Sequence, residues 1–294
     1  MLSVWLRAIR LKFLLASIIA VSLGLSLAWN SGHSIDIFHA LLTFAGVISL
    51  HASVDLLNDY WDFKRGIDTK TKRTKLSGGT GVLPEGLLKP KSVYLVGIAF
   101  LILGSIIGIY FVIIFGITIG LILGFAILSV YFYSTKIVNW GLAEVFVTIK
   151  GTLIVIGTFF IQSQSIDDIT ILAGIIVGIL SSLVLFVTSI PDHDVDKEKG
   201  RRTLVIIFGK SNTVKIFLIF PIIAYSIVFF GIAIELFPIY SLIVLLAKPF
   251  LIMALLQLKD YEKSENILIK SMTYTLYFSR IMGALFIISF LIGF

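Results

Sequence analysis

The sequence contains no cysteine and few charged residues. Of its 294 residues, 14% are Asp, Glu, Lys or Arg, whereas about 25% is usual in a soluble domain. The absence of cysteine excludes disulfides, thiolate nucleophiles and cysteine-ligated metal centres, so any metal ion must be held by oxygen or histidine ligands. Hydrophobic residues make up 58% of the chain. This composition predicts an integral membrane protein, and we expect neither a nucleic-acid partner nor an obligate protein partner.

The hydropathy pattern predicts an all-α membrane protein with a bundle of nine transmembrane helices. Several uncharged windows of about 20 residues are long enough to cross a hydrocarbon core about 30 Å thick. The run from Ser92 to Thr135 carries no charge but is too long for one helix, so we divide it near Phe115 and Gly116. The predicted spans are residues 13–29, 37–57, 92–113, 116–133, 141–162, 169–190, 212–234, 239–258 and 273–293.

Lys and Arg occur in loops on one side of these helices only. If the N-terminus is cytoplasmic, the outer loops contain no Lys or Arg. Cytoplasmic loops of membrane proteins carry an excess of these residues. The pattern therefore predicts a multi-pass protein of the cell membrane with a cytoplasmic N-terminus.

The stretch LLNDYWDFKRGID, residues 56–68, follows the second predicted span and is rich in oxygen ligands. Asn58 and Asp62 are four residues apart, so they share one face if the helix continues, while Asp59 points about 100° away. Gly66 is typical of a helix end, which places Asp68 in the loop beyond it. We expect an oxygen cluster at the cytoplasmic mouth of the bundle.

A second acidic motif, in TSIPDHDVDKEKGRRTL, follows the sixth predicted span. Asp192 and Asp196 are again four residues apart. Two carboxylates at this spacing repel each other unless a cation lies between them, which indicates a hard divalent ion, and Mg²⁺ suits such a site best. Each motif is followed by two spans, a basic loop and a further span. We therefore predict a single membrane domain over residues 1–294, with similar halves at 1–135 and 136–258 before the ninth helix.

Basic residues flank both motifs. A diphosphate that is bridged by metal and held by cations is a ligand that needs both signs of charge. A solvated, salt-bridged loop is the alternative interpretation. The flanking residues are Lys64, Arg65, Lys70, Lys72, Arg73, Lys75, Lys197, Lys199, Arg201 and Arg202.

At these residues the sequence resembles the UbiA superfamily of membrane-embedded aromatic prenyltransferases. NDYWDFKRGID resembles the first motif of the family, and its Gly-x-Asp ending, Gly66 to Asp68, is similar to the menaquinone branch, which acts on 1,4-dihydroxy-2-naphthoate. DTKTKRTKLSGGTGVLPEGLLKP, GLAEVFVTIKGTLIVIGTFFIQ and DHDVDKEKGRRTL also resemble that branch. The tyrosine-lysine element of the superfamily appears here as YFYSTK, in which Tyr131 and Tyr133 are alternatives.

The resemblance implies Mg²⁺-dependent transfer of a prenyl group from a polyprenyl diphosphate to an aromatic acceptor in lipid-quinone biosynthesis. The implied active-site chamber lies at the cytoplasmic side and opens to the lipid bilayer. The implied ligands of the Mg²⁺ ions, two in number, are Asn58, Asp62, Asp68, Asp192 and Asp196. The implied diphosphate ligands are Arg10, Lys72, Arg73, Lys136, Lys199 and Arg201.

Acceptor contacts are assigned to a few polar residues near the motifs. His51 and Asp55 share a face with Asn58 and are positioned to orient or deprotonate an acceptor hydroxyl, the alternative being a buried hydrogen-bonded pair. Glu144 matches a Gly-x-Glu pattern of the branch, with capping or interhelical hydrogen bonding as the alternative. Tyr131 and Tyr133 complete this set. Lys150, Lys248 and Arg280 receive no role.

Other functions fit parts of the same pattern. Within the superfamily, 4-hydroxybenzoate and geranylgeranylglyceryl phosphate are alternative acceptors. A proton- or ion-coupled transporter is the alternative from another class, but it predicts carboxylates near the bilayer midplane rather than at one face.

Overall fold

The computed structural model describes residues 1–292, which form α-helices with short 3₁₀ and π-helical segments and contain no β-strand. Three of the helices are short: α1 (Leu2–Ala8), α8 (His193–Glu198) and α9 (Leu204–Phe208). The longer helices are α2 (Leu11–Asn30), α3 (Ile37–Lys64), α4 (Pro90–Phe115), α5 (Ile117–Phe132), α6 (Ala143–Ser163), α7 (Asp168–Thr188), α10 (Thr213–Ala233), α11 (Lys248–Lys259) and α12 (Glu265–Leu291).

Nine helical segments of the described residues are long and apolar enough to cross a membrane, which confirms the predicted helix count. The uncharged run divides where it was expected, because α4 ends at Phe115 and α5 begins at Ile117. Gly116 between them has φ +79°, a conformation that favours glycine and breaks the helix.

The last two spans differ from the prediction in ways that the sequence explains. The ninth helix begins at Glu265 rather than 273, because the side chain of Ser264 accepts a hydrogen bond from the backbone N–H of Asn266 and caps it. The eighth span begins as a 3₁₀ helix, Ile239–Ala247, and becomes α-helical only at α11. Pro249, near the start of α11, has no N–H with which to continue a preceding α-helix.

The helices form a tightly packed centre and a looser lipid-facing side. The α6–α7 contact is close, because an added Cβ on Gly151 would lie 2.7 Å from the Cα of Gly178. The outer faces of α4 and α5 carry exposed apolar side chains such as Ile113 and Leu121. An exposed apolar surface of this kind suits a lipid environment, so the chain is a multi-pass membrane protein.

Candidate active site

One large cavity inside the bundle contains both acidic motifs. Its volume is about 350 Å³, which lies within the range of about 300 to 1,000 Å³ that is usual for ligand sites. Helices α2 to α7 and α12 contribute to its wall, together with the loop of residues 65–89. We call this cavity the chamber. The motif residues on its wall are Asn58, Asp62, Asp68, Asp192 and Asp196.

The first motif stands on the last two turns of α3, which continues to Lys64. The side-chain amide of Asn58 donates a hydrogen bond to Oδ2 of Asp62 at 3.0 Å, so the two share one helix face. The hydroxyl of Ser134, in the π-helical turn after α5, donates to Oδ1 of Asn58. These bonds fix the amide of Asn58 and hold the Asp62 carboxylate at the chamber wall.

The second motif lies where α7 gives way to α8. Asp192 precedes α8, and its main-chain carbonyl accepts a bond from the N–H of Asp196 at 2.8 Å. The backbone N–H of Gly78 donates to Oδ2 of Asp192 at 3.2 Å. Among the described residues, Oδ1 of Asp192 is buried and has no hydrogen-bond partner. One carboxylate oxygen of Asp192 is therefore left for a ligand.

A single arginine connects the two motifs. The guanidinium of Arg201 donates to Oδ1 of Asp196 at 3.1 Å and also to Oδ1 of Asp62. All three side chains are largely buried. The two motifs therefore face each other across the chamber, with one fixed positive charge between them.

A second arginine, Arg10, lines the chamber and pairs with Asp59, which was not among the predicted site residues. Asp59 is buried and does not line the chamber, but its Oδ1 accepts a bond from Arg10 at 2.8 Å. Thr80 donates to the other oxygen of Asp59. Arg10 also adopts a left-handed backbone conformation with φ +48° at the junction of α1 and α2. Asp59 thus holds the guanidinium of Arg10 at the chamber wall.

Three chamber carboxylates that lie outside the spanning helices carry raised pKa values. Burial, together with the charges of Asp62 and Asp59, raises the pKa of Asp68 to about 8. Burial and the charge of Asp196 raise the pKa of Asp192 to about 7. Burial also raises the pKa of Asp196, although the ion pair with Arg201 opposes the change. The two arginines therefore do not fully offset the burial and mutual repulsion of these carboxylates, and further cations would favour the ionised forms.

The oxygen atoms of the two motifs fit a hard cation that also binds a ligand. Across residues 1–292, no three carboxylate or imidazole side chains stand close enough to hold a metal ion by themselves. Mg²⁺ does not need such a cage, because it commonly takes one or two carboxylates and completes its shell with water and substrate phosphates. The free Oδ1 of Asp192 and the facing oxygens of Asn58 and Asp62 match that requirement.

Of the six basic residues expected to bind diphosphate, Arg10 and Arg201 line the chamber. Lys72 does not, because its side chain is 82% exposed and pairs with Glu265 at the start of α12. Arg73 is held away from the wall by Glu85 and by the backbone carbonyl of Thr80.

The other two predicted cations also lie off the chamber wall. Lys136 is exposed, and its ammonium group lies 5.8 Å from the centroid of the Phe132 ring. Lys199 is partly exposed beside Gly66, in the turn that follows α8. Neither lysine is among the residues that line the chamber.

Four of the five residues assigned to the acceptor line the chamber, namely His51, Asp55, Tyr133 and Glu144. Tyr131 does not, because its side chain lies on the outer face and is 42% exposed. Of the two tyrosines left open by the sequence, Tyr133 is thus the one at the chamber.

Glu144 has a structural partner. Its Oε1 accepts a hydrogen bond from the backbone N–H of Leu204 at 3.3 Å, at the first residue of α9. Its Oε2 is buried and has no hydrogen-bond partner in the described part of the chain. This bond joins α6 to α9, so the interhelical bonding considered as an alternative for Glu144 is present in the structure.

The chamber also has an apolar part and a glycine contact that the motifs did not indicate. Ile107, Phe111 and Ile122 on α4 and α5 line its apolar end, next to the lipid-facing helices. Near the acidic end, Gly79 has φ +71°, and an added Cβ there would lie 2.7 Å from the carboxyl group of Asp68. The glycines in SGGTG are a sequence signal for such a close approach, but only the fold identifies Asp68 as the neighbour.

Sequence comparisons find related proteins over most of the chain. The model of the UbiA prenyltransferase family matches residues 17–292. The chain is 28% identical over 218 residues to the 1,4-dihydroxy-2-naphthoate octaprenyltransferase of Escherichia coli, covering 71% of this chain and 69% of the relative. It is 30% identical over 205 residues to the protein of the same name from Bacillus subtilis, covering 68% of this chain and 64% of the relative.

The fold agrees with a solved structure of the same family. A UbiA homolog from Archaeoglobus fulgidus, bound to GPP and Mg²⁺, is 16% identical, and the match covers 99% of both chains with a TM-score of 0.62. At this identity the similarity shows a shared fold. Together with the family match over nearly the whole chain, it shows that this membrane protein belongs to the UbiA prenyltransferase family.

Proposed function

We propose that this prenyltransferase transfers a prenyl group from a polyprenyl diphosphate to 1,4-dihydroxy-2-naphthoate in lipid-quinone biosynthesis. The observation that carries the proposal is the chamber itself, in which two facing acidic motifs and two arginines adjoin an apolar end. A polar, charged zone suits a diphosphate, and an apolar zone beside lipid suits its isoprenoid tail, since each buried CH₂ contributes about 0.8 kcal/mol. The names of the bacterial relatives support the choice of acceptor.

The metal-binding part of the proposal concerns the five motif residues. Asn58, Asp62, Asp68, Asp192 and Asp196 would hold Mg²⁺, two ions in the full proposal, and the similar homolog from Archaeoglobus fulgidus was solved with GPP and Mg²⁺. When bound, Mg²⁺ neutralises the negative charge that develops on a departing diphosphate. Arg201 and Arg10 donate further charge-assisted hydrogen bonds to the oxygens of the diphosphate.

The reaction proceeds by cleavage of the allylic C–O bond of the donor. The bonding electrons leave with the diphosphate, and the allylic carbon gains cationic character. An electron-rich ring carbon of the acceptor forms the new C–C bond, and the ring regains aromaticity by losing a proton or its carboxyl group as CO₂. His51 and Asp55 lie on the chamber wall and orient the acceptor hydroxyl, while Tyr133 faces the same space.

The proposal also includes the arrangement of the chain in the membrane. The one-sided distribution of Lys and Arg supports a cytoplasmic N-terminus in the cell membrane, with the acidic end of the chamber facing the cytoplasm. It includes a single domain with two related halves, 1–135 and 136–258, each providing one acidic motif.

The test is a transfer assay with purified protein. Labelled geranyl or geranylgeranyl diphosphate is supplied with and without Mg²⁺, and 1,4-dihydroxy-2-naphthoate, 4-hydroxybenzoate and geranylgeranylglyceryl phosphate are offered in parallel. We expect metal-dependent prenylation of the naphthoate. Product from only one of the other acceptors contradicts the proposed acceptor, and a metal-independent product contradicts the role of the acidic motifs.

A further inference from the structure

Two positive charges in the chamber have no part in the proposed diphosphate site. Lys150 on α6 and Arg280 on α12 both line the chamber, within membrane-spanning helices. Within residues 1–292, neither forms an ion pair with a carboxylate. Charged side chains in such helices are costly, face cavities or the bundle interior, and are usually functional.

Among the described residues, no anionic side chain pairs directly with either cation. The Nε atom of Arg280 is buried without a hydrogen-bond partner in the described residues, and the guanidinium makes one long bond of 3.4 Å to Ser279. Lys150 lies within electrostatic range of Arg280 and of Asp55. Asp55 forms no ion pair with Lys150 or Arg280, and in the described part of the chain the basic side chain within 4 Å of its carboxylate is that of His51, at 3.8 Å. Two like charges at this depth favour an anionic ligand.

Neither part of the prenyl donor supplies this anion. His51, which lies within electrostatic range of both cations, precedes Asn58 by seven residues on α3, or about 10 Å along the helix axis. The diphosphate belongs with Asn58, Asp62 and Arg201 at the acidic end, and the isoprenoid tail carries no charge. The remaining ligand of the proposed reaction is the acceptor.

Partners for an acceptor hydroxyl lie in the same zone. The hydroxyl of Ser17 on α2 and Nδ1 of His51 form a hydrogen bond of 2.6 Å, and both residues line the chamber. Oδ2 of Asp55 is buried and accepts no hydrogen bond in the described part of the structure. A ligand that carries a carboxylate and a hydroxyl group would satisfy the cations and these groups together.

We infer that Lys150 and Arg280 bind the carboxylate of the aromatic acceptor and thereby determine specificity for an acidic acceptor. The inference rests on the proposed function, because that reaction supplies the aromatic acid. It assigns the two residues a binding role and leaves the cleavage of the donor to the acidic end of the chamber.

The test measures binding directly, so that it does not depend on turnover. Wild-type protein, Lys150→Met and Arg280→Met are titrated in oxygen-free buffer with 1,4-dihydroxy-2-naphthoate and with the carboxylate-free 1,4-dihydroxynaphthalene. The pair 4-hydroxybenzoate and phenol is titrated in the same way. Lys248→Met is the matched control, because it removes an exposed charge from a spanning segment outside the chamber lining.

We expect wild type to bind an aromatic acid more tightly than its neutral counterpart. Each chamber variant should weaken binding of the acid by about tenfold or more, as for loss of a charged hydrogen bond, and change binding of the neutral compound less than twofold. The Kd for prenyl diphosphate should be unchanged, and Arg280→Lys should recover part of the loss. Equal weakening for acid and neutral compound, or no preference for either acid in wild type, would overturn the inference.

The outcome separates this inference from the proposed function. Charge-dependent binding of the acid without any transfer supports the carboxylate site and contradicts the proposed reaction. Transfer to the naphthoate with unchanged acid binding in Lys150→Met and Arg280→Met supports the reaction and rejects the carboxylate site.

Discussion

Asp192 and Asp194 are two residues apart in the second motif and have opposite surroundings. Asp194 is largely exposed and accepts hydrogen bonds from His193 and Lys210, which lower its pKa. Asp192 lines the chamber, and one of its oxygens is buried without a partner in the described residues. The residue type is the same, so the difference in expected role comes from where the start of α8 places each side chain.

Tyr133 and Tyr131 offer a similar comparison. Tyr133 lines the chamber, whereas Tyr131 lies on the outer face. We predict that Tyr133→Phe lowers kcat/KM for the acceptor by about three- to tenfold, the effect of losing one hydrogen bond. Tyr131→Phe should change it less than twofold. Steady-state kinetics with the acceptor as the varied substrate tests this, and an equal loss in both variants would contradict the placement of Tyr133.

At the scale of single elements, the loop of residues 65–89 closes the acidic end of the chamber. It contributes Asp68 to the wall and donates from Gly78 to Asp192. Arg7 of α1 binds the carbonyl of Thr80 at 2.7 Å and Glu85 at 2.7 Å. The loop is therefore fixed to both motifs and to α1, which explains how a segment without regular structure holds a site residue.

Gly79 tests this arrangement. Ala at position 79 would meet the Asp68 carboxyl at 2.7 Å, whereas Ala at Gly86 would meet nothing within 4 Å, and both glycines have positive φ. Both variants therefore carry the backbone strain, and only Gly79→Ala displaces Asp68. We predict that Gly79→Ala lowers kcat by about tenfold or more relative to Gly86→Ala, since small misplacements of catalytic groups are costly. Similar diphosphate release by the two variants would contradict the role of Asp68.

The contact between α6 and α7 gives a prediction about stability. A Cβ on Gly178 would overlap the backbone carbonyl of Thr148, whereas one on Gly124 of α5 would meet nothing within 4 Å. We predict that Gly178→Ala destabilises the protein by about 1–3 kcal/mol through overpacking, while Gly124→Ala gains about 0.5–1 kcal/mol of helix preference. Thermal unfolding in detergent measures the difference. A Tm for Gly178→Ala at or above the wild-type value would show that the helices can separate without cost.

The elements were predictable from sequence because hydropathy and glycine act locally. The nine spans and the break at Gly116 follow from chain-local signals. The chamber was predictable only in part. Spacing on one helix gives the Asn58–Asp62 pair, but the link from Arg201 to Asp62 joins residues 139 apart in the sequence. Charge alone likewise did not distinguish Arg201 from Lys72, because the two lie in different loops and only the fold shows that Arg201 lines the chamber whereas Lys72 is exposed.

At the scale of the whole molecule, the bundle combines a closed centre with a chamber beside its lipid-facing helices. The acidic motifs lie at one end of α3 and α7, and the apolar chamber wall is formed by α4 and α5. Donor and acceptor are thus expected to meet at the membrane edge, where an apolar tail and a charged diphosphate are both solvated favourably.

The membrane orientation can be tested because the chain has no cysteine. Ser31 follows the first membrane span and Glu262 follows the eighth. Seven spans separate the two residues, so they lie at opposite ends of the bundle, and both are exposed. We predict that a membrane-impermeant maleimide labels Ser31→Cys in intact cells and labels Glu262→Cys only after permeabilisation. The reverse pattern would invert the proposed orientation.

The central claim is that the acidic end of the chamber holds Mg²⁺ and the diphosphate of the donor. The most direct test measures Mg²⁺-dependent release of diphosphate by three proteins, namely wild type, Asp192→Asn and the control Asp194→Asn. We predict that Asp192→Asn loses activity on the order of 100-fold or more, as when a group that stabilises developing charge is removed, while its Tm stays near that of wild type. Asp194→Asn should retain wild-type activity. Full Mg²⁺-dependent activity in a folded Asp192→Asn protein would contradict the account.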